Sequence, residues 1–470
     1  MLRISRRNLL RSAGVAMLGA LAASCQPKVV EVEKVVKETV VVKEEVEVQK
    51  EVTRVVEAPP AAPADKGPIN LQWWSGAPLN PTLAQWEPYQ KKAYEILADT
   101  IPGCTVTHSD MGWDAVLRQN LLTALMGGTA PDLIVGESFI QPDARIGAYL
   151  PLDDALKEAG IYDNLIPGVH QNAMADGKLY AISLQTGVFA FEENRKVVEK
   201  AGLDPDEWPA TWGELLDRAA AITKAGNEEY YGYTLQGPVG YAVGAIMRVS
   251  VYSSIAGAPL CKEDCTYPWF DDPTLEKVFS FIREIHRYTP PGLSFNPDEP
   301  QVYHQLSRGV TAYQVAANWH VNYARENDAV DDVQYGLIPM PDDGGNFVSR
   351  TVGNTMALAL SGTKHPQEAI EFLKILTMDD VTDFVYQCSP GRSPSTFTGL
   401  ERTRPKIEPH HEVFFNTLRD GEVGCMPQWP KEATQVWGAL NDMLIKLLTT
   451  EDRVLDLMAE AQQNAAAAIG

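Results

Sequence analysis

The chain has 470 residues, with 40 Lys+Arg against 62 Asp+Glu and a formal net charge of −22. At about 100–200 residues per domain, that length predicts two or three domains with a sizeable core, and a composition of 45% apolar and 22% charged residues excludes wholesale disorder. The acid surplus excludes nucleic-acid binding as the main role, because such binding draws its affinity from Lys and Arg neutralising phosphates.

The charge is uneven. Residues 1–24 carry four Arg and no acid, residues 26–67 hold seven basic and nine acidic residues, and residues 68–470 hold 29 against 53, a net −24. A body that acidic stays soluble and repels anionic polymers and anionic lipid. At the N-terminus, Ser5-Arg6-Arg7-Asn8-Leu9-Leu10 resembles the twin-arginine export motif, with Leu where Phe is usual. An apolar run from Ala13 to Ala23 follows, too short to span a bilayer. It ends at Leu21-Ala22-Ala23-Ser24-Cys25, which resembles a bacterial lipoprotein cleavage box whose leucine lies one place further from the cysteine than usual. The resemblance implies a signal peptide over 1–24 and a lipidated Cys25 that anchors the mature chain to the outer face of the cell membrane. The plainer alternative is a cleaved secretory peptide with an incidental cysteine.

Residues 28–57 are almost all Val, Glu and Lys, with Val pairs at 35–36, 41–42 and 55–56. That spacing admits a short coiled coil, but Val and Thr are mediocre helix formers, so an extended charged spacer is the blander reading. Pro59, Pro60 and Pro63 then stiffen a linker to about residue 67. Residues 25–67 thus read as anchor and spacer.

From Pro68 the pattern becomes α/β. The chain predicts a strand over Ile69–Trp74, a helix near 82–99, a short strand over Cys104–Thr107 and an amphipathic helix over 114–126. Ala130–Val135 then reads as a buried strand delivering Gly136, Glu137 and Ser138. Such alternation predicts mainly parallel sheets covered on both faces, with ligand bound beyond the strands' carboxyl ends. Residues 74–77 and 136–139 are therefore the first places to look.

Gly128-Thr129-Ala130-Pro131-Asp132-Leu133 and Gly147-Ala148-Tyr149-Leu150-Pro151-Leu152-Asp153 resemble the extracytoplasmic solute-binding protein family 1, which takes up sugars. Asp176-Gly177-Lys178-Leu179-Tyr180-Ala181-Ile182, Lys200-Ala201-Gly202-Leu203-Asp204 with Pro209-Ala210-Thr211-Trp212-Gly213-Glu214-Leu215, Tyr335 to Pro341, and Lys364 to Leu373 continue the resemblance in family order. It covers about 69–470 and implies a periplasmic-binding-protein-like fold of two α/β lobes joined by a multi-crossing hinge. By position, lobe I takes 68–184 plus 355–408 and lobe II takes 188–350 plus 412–470. Ligand is trapped between the lobes by hinge closure and passed to the membrane permease of an ABC-type importer; the resemblance implies a monomer. Glu192-Glu193-Asn194-Arg195 departs from the family's aromatic residues and reads as scaffold.

A carbohydrate presents apolar C–H faces and a belt of hydroxyls, so its site combines aromatic platforms with polar and acidic side chains. Trp74 with Ser75, Trp113, Trp319 with His320, Trp429 and Trp437 are the candidates where lobes should meet. Ala317-Asn318-Trp319-His320 resembles the family's Gly-Pro-Trp ligand segment with Asn318 replacing Pro, and relatives place a stacking aromatic near Trp429 and Trp437. Each Trp has half-buried core as its bland alternative; Trp73, Trp208 and Trp212 are assigned to packing. Polar candidates are Glu137 and Ser138, Gln185 and Thr186 on the first hinge crossing, Gln236 and Tyr241 in a second-lobe loop, Gly353 and Asn354 on the hinge return, and Arg392. Arg392 matters most if the ligand carries phosphate or carboxylate.

Enzymatic signatures are missing: there is no Walker A sequence, dinucleotide glycine fingerprint or Gly-x-Ser-x-Gly elbow. His410-His411 reads as a surface pair rather than a metal site, and no cofactor is expected. Cys261 and Cys265 suit a small loop disulfide in an oxidising exterior, with Cys104, Cys388 and Cys425 left open. The reading is a non-catalytic receptor for a sugar or small oligosaccharide; its rivals are a binder of phosphorylated polyol, glycerophosphodiester or peptide, an exported carbohydrate-active enzyme, and a surface adhesin.

Overall fold

In the computed structural model, alternation along Ile69–Ser75 (strand β1) turns Ile69, Leu71, Trp73 and Ser75 inward and leaves Asn70 and Gln72 exposed. The structure describes residues 67–76, 84–113, 115–137, 139–238, 242–261, 267–345, 348–351, 355–420, 422–425 and 433–469, all within the unit Asp65–Gly470. The expected signal peptide, Cys25 and the spacer lie outside the described residues.

β1 pairs in parallel along its whole length with β2 (Cys104–Asp110), which is why β2 runs beyond the Cys104–Thr107 expected from its composition. β1 also pairs in parallel with β3 (Leu133–Gly136). Asp132, just before β3, accepts from the Gln72 N–H (2.8 Å) and the Thr363 hydroxyl (2.5 Å), fixing the Pro-Asp turn against two neighbours. The helix Glu87–Thr100 opens with a proline in its first turn and buries Tyr89, Ala93 and Leu97 at four-residue spacing. The helix Ala115–Gly127 matches its expectation closely.

Next come a hairpin of β4 (Met174–Ala175) and β5 (Lys178–Leu179), turned by Asp176 and Gly177 at positive φ, then β6 (Ile182–Gln185) and β7 (Phe189–Asn194). β8 (Tyr231–Tyr233), β9 (Thr311–Ala317), β10 (Val333–Gly336), β11 (Val348–Thr351), β12 (Thr355–Ala359) and β13 (Glu422–Cys425) complete the strands. The larger sheet has order β2-β1-β3-β12-β6 and the second β10-β7-β9-β8; β11 and β13 pair by themselves.

The expectation of mainly parallel sheets needs one correction, since both sheets are mixed. β12 is antiparallel to β3 and β6, and β7 is antiparallel to β9 and β10. The remaining strands of each sheet share one direction. β7 and β12 are the strands that arrive from the other sheet, so each enters against the local direction.

Each sheet has its own core. Trp73 is fully buried, stacks on His108 (4.1 Å between centroids) and meets Phe372 edge-on (5.4 Å) in the first. In the second, Trp212 stacks on Phe281 (4.4 Å) at the start of a helix, Trp212–Gly226, with a Thr211/Glu214 capping box. Both Trp73 and Trp212 are the packing residues the alternation and helix-start signals implied, and Trp208 is half-buried against the second core. Helices Ala433–Thr449 and Val454–Ile469 pack Val436, Leu440, Leu457 and Met458 onto this core. A third apolar cluster joins Ile166, Val188, Val321, Tyr386, Leu400 and Phe414, drawn from both halves of the chain.

Replacing Phe372 by Ala is expected to cost about 3–5 kcal/mol, read as a lower urea midpoint at unchanged m-value. A second expectation concerns pH. His170 is buried, its Nδ1 donating to Ile166 O (3.0 Å) and its Nε2 accepting from Ser183 N–H (3.1 Å), and burial holds its pKa down at about 4. A depressed folded pKa means the unfolded chain binds the proton first. His170 thus contributes its full share above the ordinary 6.5, and that share is lost as pH falls toward about 4. Denaturation profiles from pH 7 to 4 should fall less steeply in His170→Gln than in the parent.

Candidate functional site

β6 ends at Gln185 and β7 begins at Phe189, so the carboxyl ends of β1, β3 and β6 face the segment that leads into the second sheet. There the carboxyl end of β9 lies at the level of the start of β7, Ala317 opposite Phe189, and β8 runs parallel to β9. The two sheets thus turn strand ends toward the segment that connects them, the candidate cleft, since α/β architectures bind ligands beyond the strands' carboxyl ends.

On the first side, Trp74 and Trp113 are half-buried against the first core. Two post-strand loops meet here: the Met111 N–H donates to Ser75 O (2.8 Å), and a Cβ on Gly76 would lie 2.2 Å from Gly112 O. Gly76 is therefore required for the approach that brings the two tryptophans to one end of the sheet. Ser75 is corrected: its side chain is buried and its hydroxyl bonds His108 Nε2 inside the sheet. Glu137, at the end of β3, is 4% exposed.

On the second side, Trp319 follows β9 and is half-buried, its edge against Phe189 (5.8 Å). The guanidinium of Arg392 lies 4.7 Å from the Trp319 ring centroid and donates to Thr186 O (3.3 Å). Burial pulls the Arg392 pKa down to about 10, while the Glu137 carboxylate acts in the opposite sense. Arg392 thus remains a cation at neutral pH, held between an aromatic face and an acid.

Several expected contacts are internal instead. Gln185 and Thr186 are fully buried; Gln185 Nε2 donates to Thr355 Oγ1 (2.9 Å), and the Thr186 hydroxyl pairs with that of Ser393 (2.5 Å). They tie chain crossings together rather than face the cleft. His320 is 1% exposed, with Nδ1 at 3.1 Å from Gln314 Nε2 and 3.5 Å from Glu192 Oε2. Burial lowers its pKa against the pull of Glu192, so a neutral ring sits buried at the start of the helix His320–Glu326. Gln236 is likewise buried, its Oε1 accepting from the Tyr303 hydroxyl (2.6 Å), which also accepts from Arg248 (3.2 Å). A cavity of about 10 Å³, room for one water, adjoins Gln236 and Arg248. Trp437 packs against the second core on Ala433–Thr449. Ser138, Tyr241, Gly353, Asn354 and Trp429 lie outside the described residues.

Asn318, noted in the sequence only as standing where the family has Pro, is the residue whose weight was missed. Its Nδ2 donates to Thr186 O (3.1 Å) and Gly391 O (3.0 Å), its Oδ1 accepts from Val188 N–H (3.3 Å), and its own N–H donates to Val188 O (2.8 Å). Proline could make none of the three donations.

Cys261 is disulfide-bonded; Cys265, its expected partner, lies outside the described residues. Cys104 and Cys388 are free and buried. His410-His411 is not a surface pair, because His411 is fully buried. The most displaced carboxyl pKa among the described residues belongs to Glu193 on β7, fully buried and pushed up to about 8 by burial against the pull of Arg218 and Arg195. It lies within the strand and not at the strand ends, as a scaffold residue should.

A family model described as bacterial extracellular solute-binding protein matches residues 77–382. A binding protein of Brucella abortus (strain 2308) is 27% identical over 335 residues, covering 68% of this chain and 74% of that protein. A mannitol-binding protein of Pseudomonas aeruginosa is 28% identical over 193 residues, 38% of this chain and 41% of that protein. Among solved structures, an ABC transporter solute-binding protein from Thermotoga lettingae bound with α-D-tagatose superposes with a TM-score of 0.73 at 21% identity, over 86% of this chain and 100% of that one. A likeness at that identity shows the fold.

Asn318→Ala leaves two buried carbonyls without their donor, a loss of about 1–3 kcal/mol. Chemical denaturation should register it with the fold retained at low denaturant.

Proposed function

The chain belongs to the bacterial extracellular solute-binding proteins, and from that premise we propose that it captures a sugar or small oligosaccharide in the cleft and hands it to an ABC-type membrane permease. The observation that carries the reading is the meeting of Trp319, after β9, with the Arg392 guanidinium, near which stands the Glu137 carboxylate at the end of β3. An indole face suits the C–H face of a pyranose, while a guanidinium and a carboxylate together donate to and accept from hydroxyls. The tagatose-bound structure and the mannitol-binding relative support a polyhydroxylated ligand.

We assign lobe I to 68–184 plus 355–408 and lobe II to 188–350 plus 412–470, with closure about the crossings at 185–187, 351–354 and 409–411. Export through the twin-arginine-like leader and lipidation of Cys25 would hold this receptor at the outer membrane face, as a monomer that leaves its ligand chemically unchanged. Arg392 favours a second reading, a phosphorylated polyol. Against it stands Glu137, whose charge offsets the guanidinium, and the net −24 of residues 68–470. The neutral ligand is preferred.

Isothermal titration against mono- and oligosaccharides, mannitol, a glycerophosphodiester and glycerol phosphate decides between them. Micromolar binding of a neutral sugar, with a labelled oligosaccharide recovered intact, is the expected result; selective binding of the phosphate overturns it. Trp319→Ala should weaken sugar binding by about 1–3 kcal/mol, roughly 5- to 150-fold, and unchanged affinity in the folded variant removes Trp319 from the site.

A further inference from the structure

Glu408, His410 and His411, away from the cleft, each place one ligand-type atom within 4.8 Å of the others. The single 3₁₀ turn Pro409–His411 assembles them. Its backbone is closed by the His411 N–H donating to Glu408 O (2.9 Å) and fixed by Pro409. In such a turn residues three apart eclipse, which sets Glu408 over His411.

Glu408 and His411 already have the partner a ligand needs on the other side. Glu408 Oε1 accepts from Arg325 (2.7 Å), and its Oε2 lies 3.4 Å from His410 Nε2. Around a tetrahedral ion with bonds of about 2.1 Å, ligand atoms stand about 3.4 Å apart, so this pair has the spacing of one tetrahedral edge. His411 is fully buried with Nδ1 at 2.7 Å from the Tyr386 hydroxyl, while its Nε2 has no hydrogen-bond partner among the described residues. A ligating imidazole binds the ion through one nitrogen and anchors the other on an oxygen, and Tyr386 supplies that oxygen. The His410 ring is fixed by stacking on Tyr335 (6.1 Å, 16°). A solvent-open hollow of about 410 Å³, lined by Arg325, Asp328, Val330 and Asp331, adjoins the cluster through Arg325 and offers an acidic approach.

We propose that Glu408, His410 and His411 form a binding site for a transition-metal cation of the Zn²⁺ type, with two imidazoles, one carboxylate and an open fourth position. Imidazole and carboxylate donors suit Zn²⁺ and its borderline neighbours rather than Ca²⁺ or Mg²⁺, which take all-oxygen shells. Arg325 keeps Oε1 as the hydrogen-bonded oxygen of a monodentate carboxylate. The ion would fasten the turn between Tyr386 on one side and Arg325 and Tyr335 on the other.

The test titrates Zn²⁺ into tag-free, EDTA-treated full-length protein by calorimetry, beside His410→Ala and Glu408→Gln, each checked for fold by circular dichroism. One ion per chain at micromolar affinity is expected, weakened at least about tenfold in both variants, with X-ray absorption showing nitrogen and oxygen ligands at about 2.0–2.1 Å. No saturable binding by the parent protein overturns the site, and so does stoichiometric binding that neither variant changes.

Discussion

The side-chain amide of Asn318 joins three stretches of chain that sequence separates widely. It donates to the carbonyls of Thr186 and Gly391 and accepts from the Val188 N–H. Thr186 and Val188 flank the passage from the first sheet to the second, and Gly391 lies beside Arg392. Thr186 is held a second time by Ser393, through its N–H (3.0 Å) and its hydroxyl. The guanidinium of Arg392 can meet Trp319 only because these segments keep register. A buried polar network whose members are paired rigidifies the segments it joins, so this junction fixes their register.

The cleft combines hydrophobic and electrostatic constraints in little space. Trp319 is backed by Phe189 and faced by Arg392. Arg392 and Glu137 are both at most 5% exposed, and burying either alone would cost far more than burying them near each other. The acidity of the body therefore does not extend unopposed into the cleft, which keeps a balance of charge that a neutral, hydroxylated molecule would meet at little cost.

Much of this architecture was readable from local pattern. β1, the helix Glu87–Thr100, the Pro-Asp entry to β3 and the capping box at Thr211 rest on alternation, spacing and capping chemistry confined to a few residues. Less was readable where long-range packing decides. β2 is extended by its pairing with β1, and His411 is buried by Tyr335 and Tyr386 from distant parts of the chain. The importance of Asn318 depends on partners more than 70 residues away. Ser75 is different, because its inward direction was available: period-two alternation places it on the same face as Trp73, which was already assigned to the interior. In the site, Glu137 was found by its position after a strand and Trp319 by family likeness, while Arg392 was singled out for the charge it would bring to an anionic ligand; Gln185, Thr186 and His320 share such positions but face inward.

The reversed strands β7 and β12 carry a consequence for assembly. The larger sheet places β12 between β3 and β6, so it stays divided until some 170 residues of intervening chain have been made and brought back. The second sheet draws all four of its strands from the contiguous stretch 189–336, whereas the first lacks β12 until that stretch has been passed, so cutting the chain between β6 and β7 would leave the first sheet incomplete. Closing loops of that length before the contacts that reward them form makes acquisition of the native state slow.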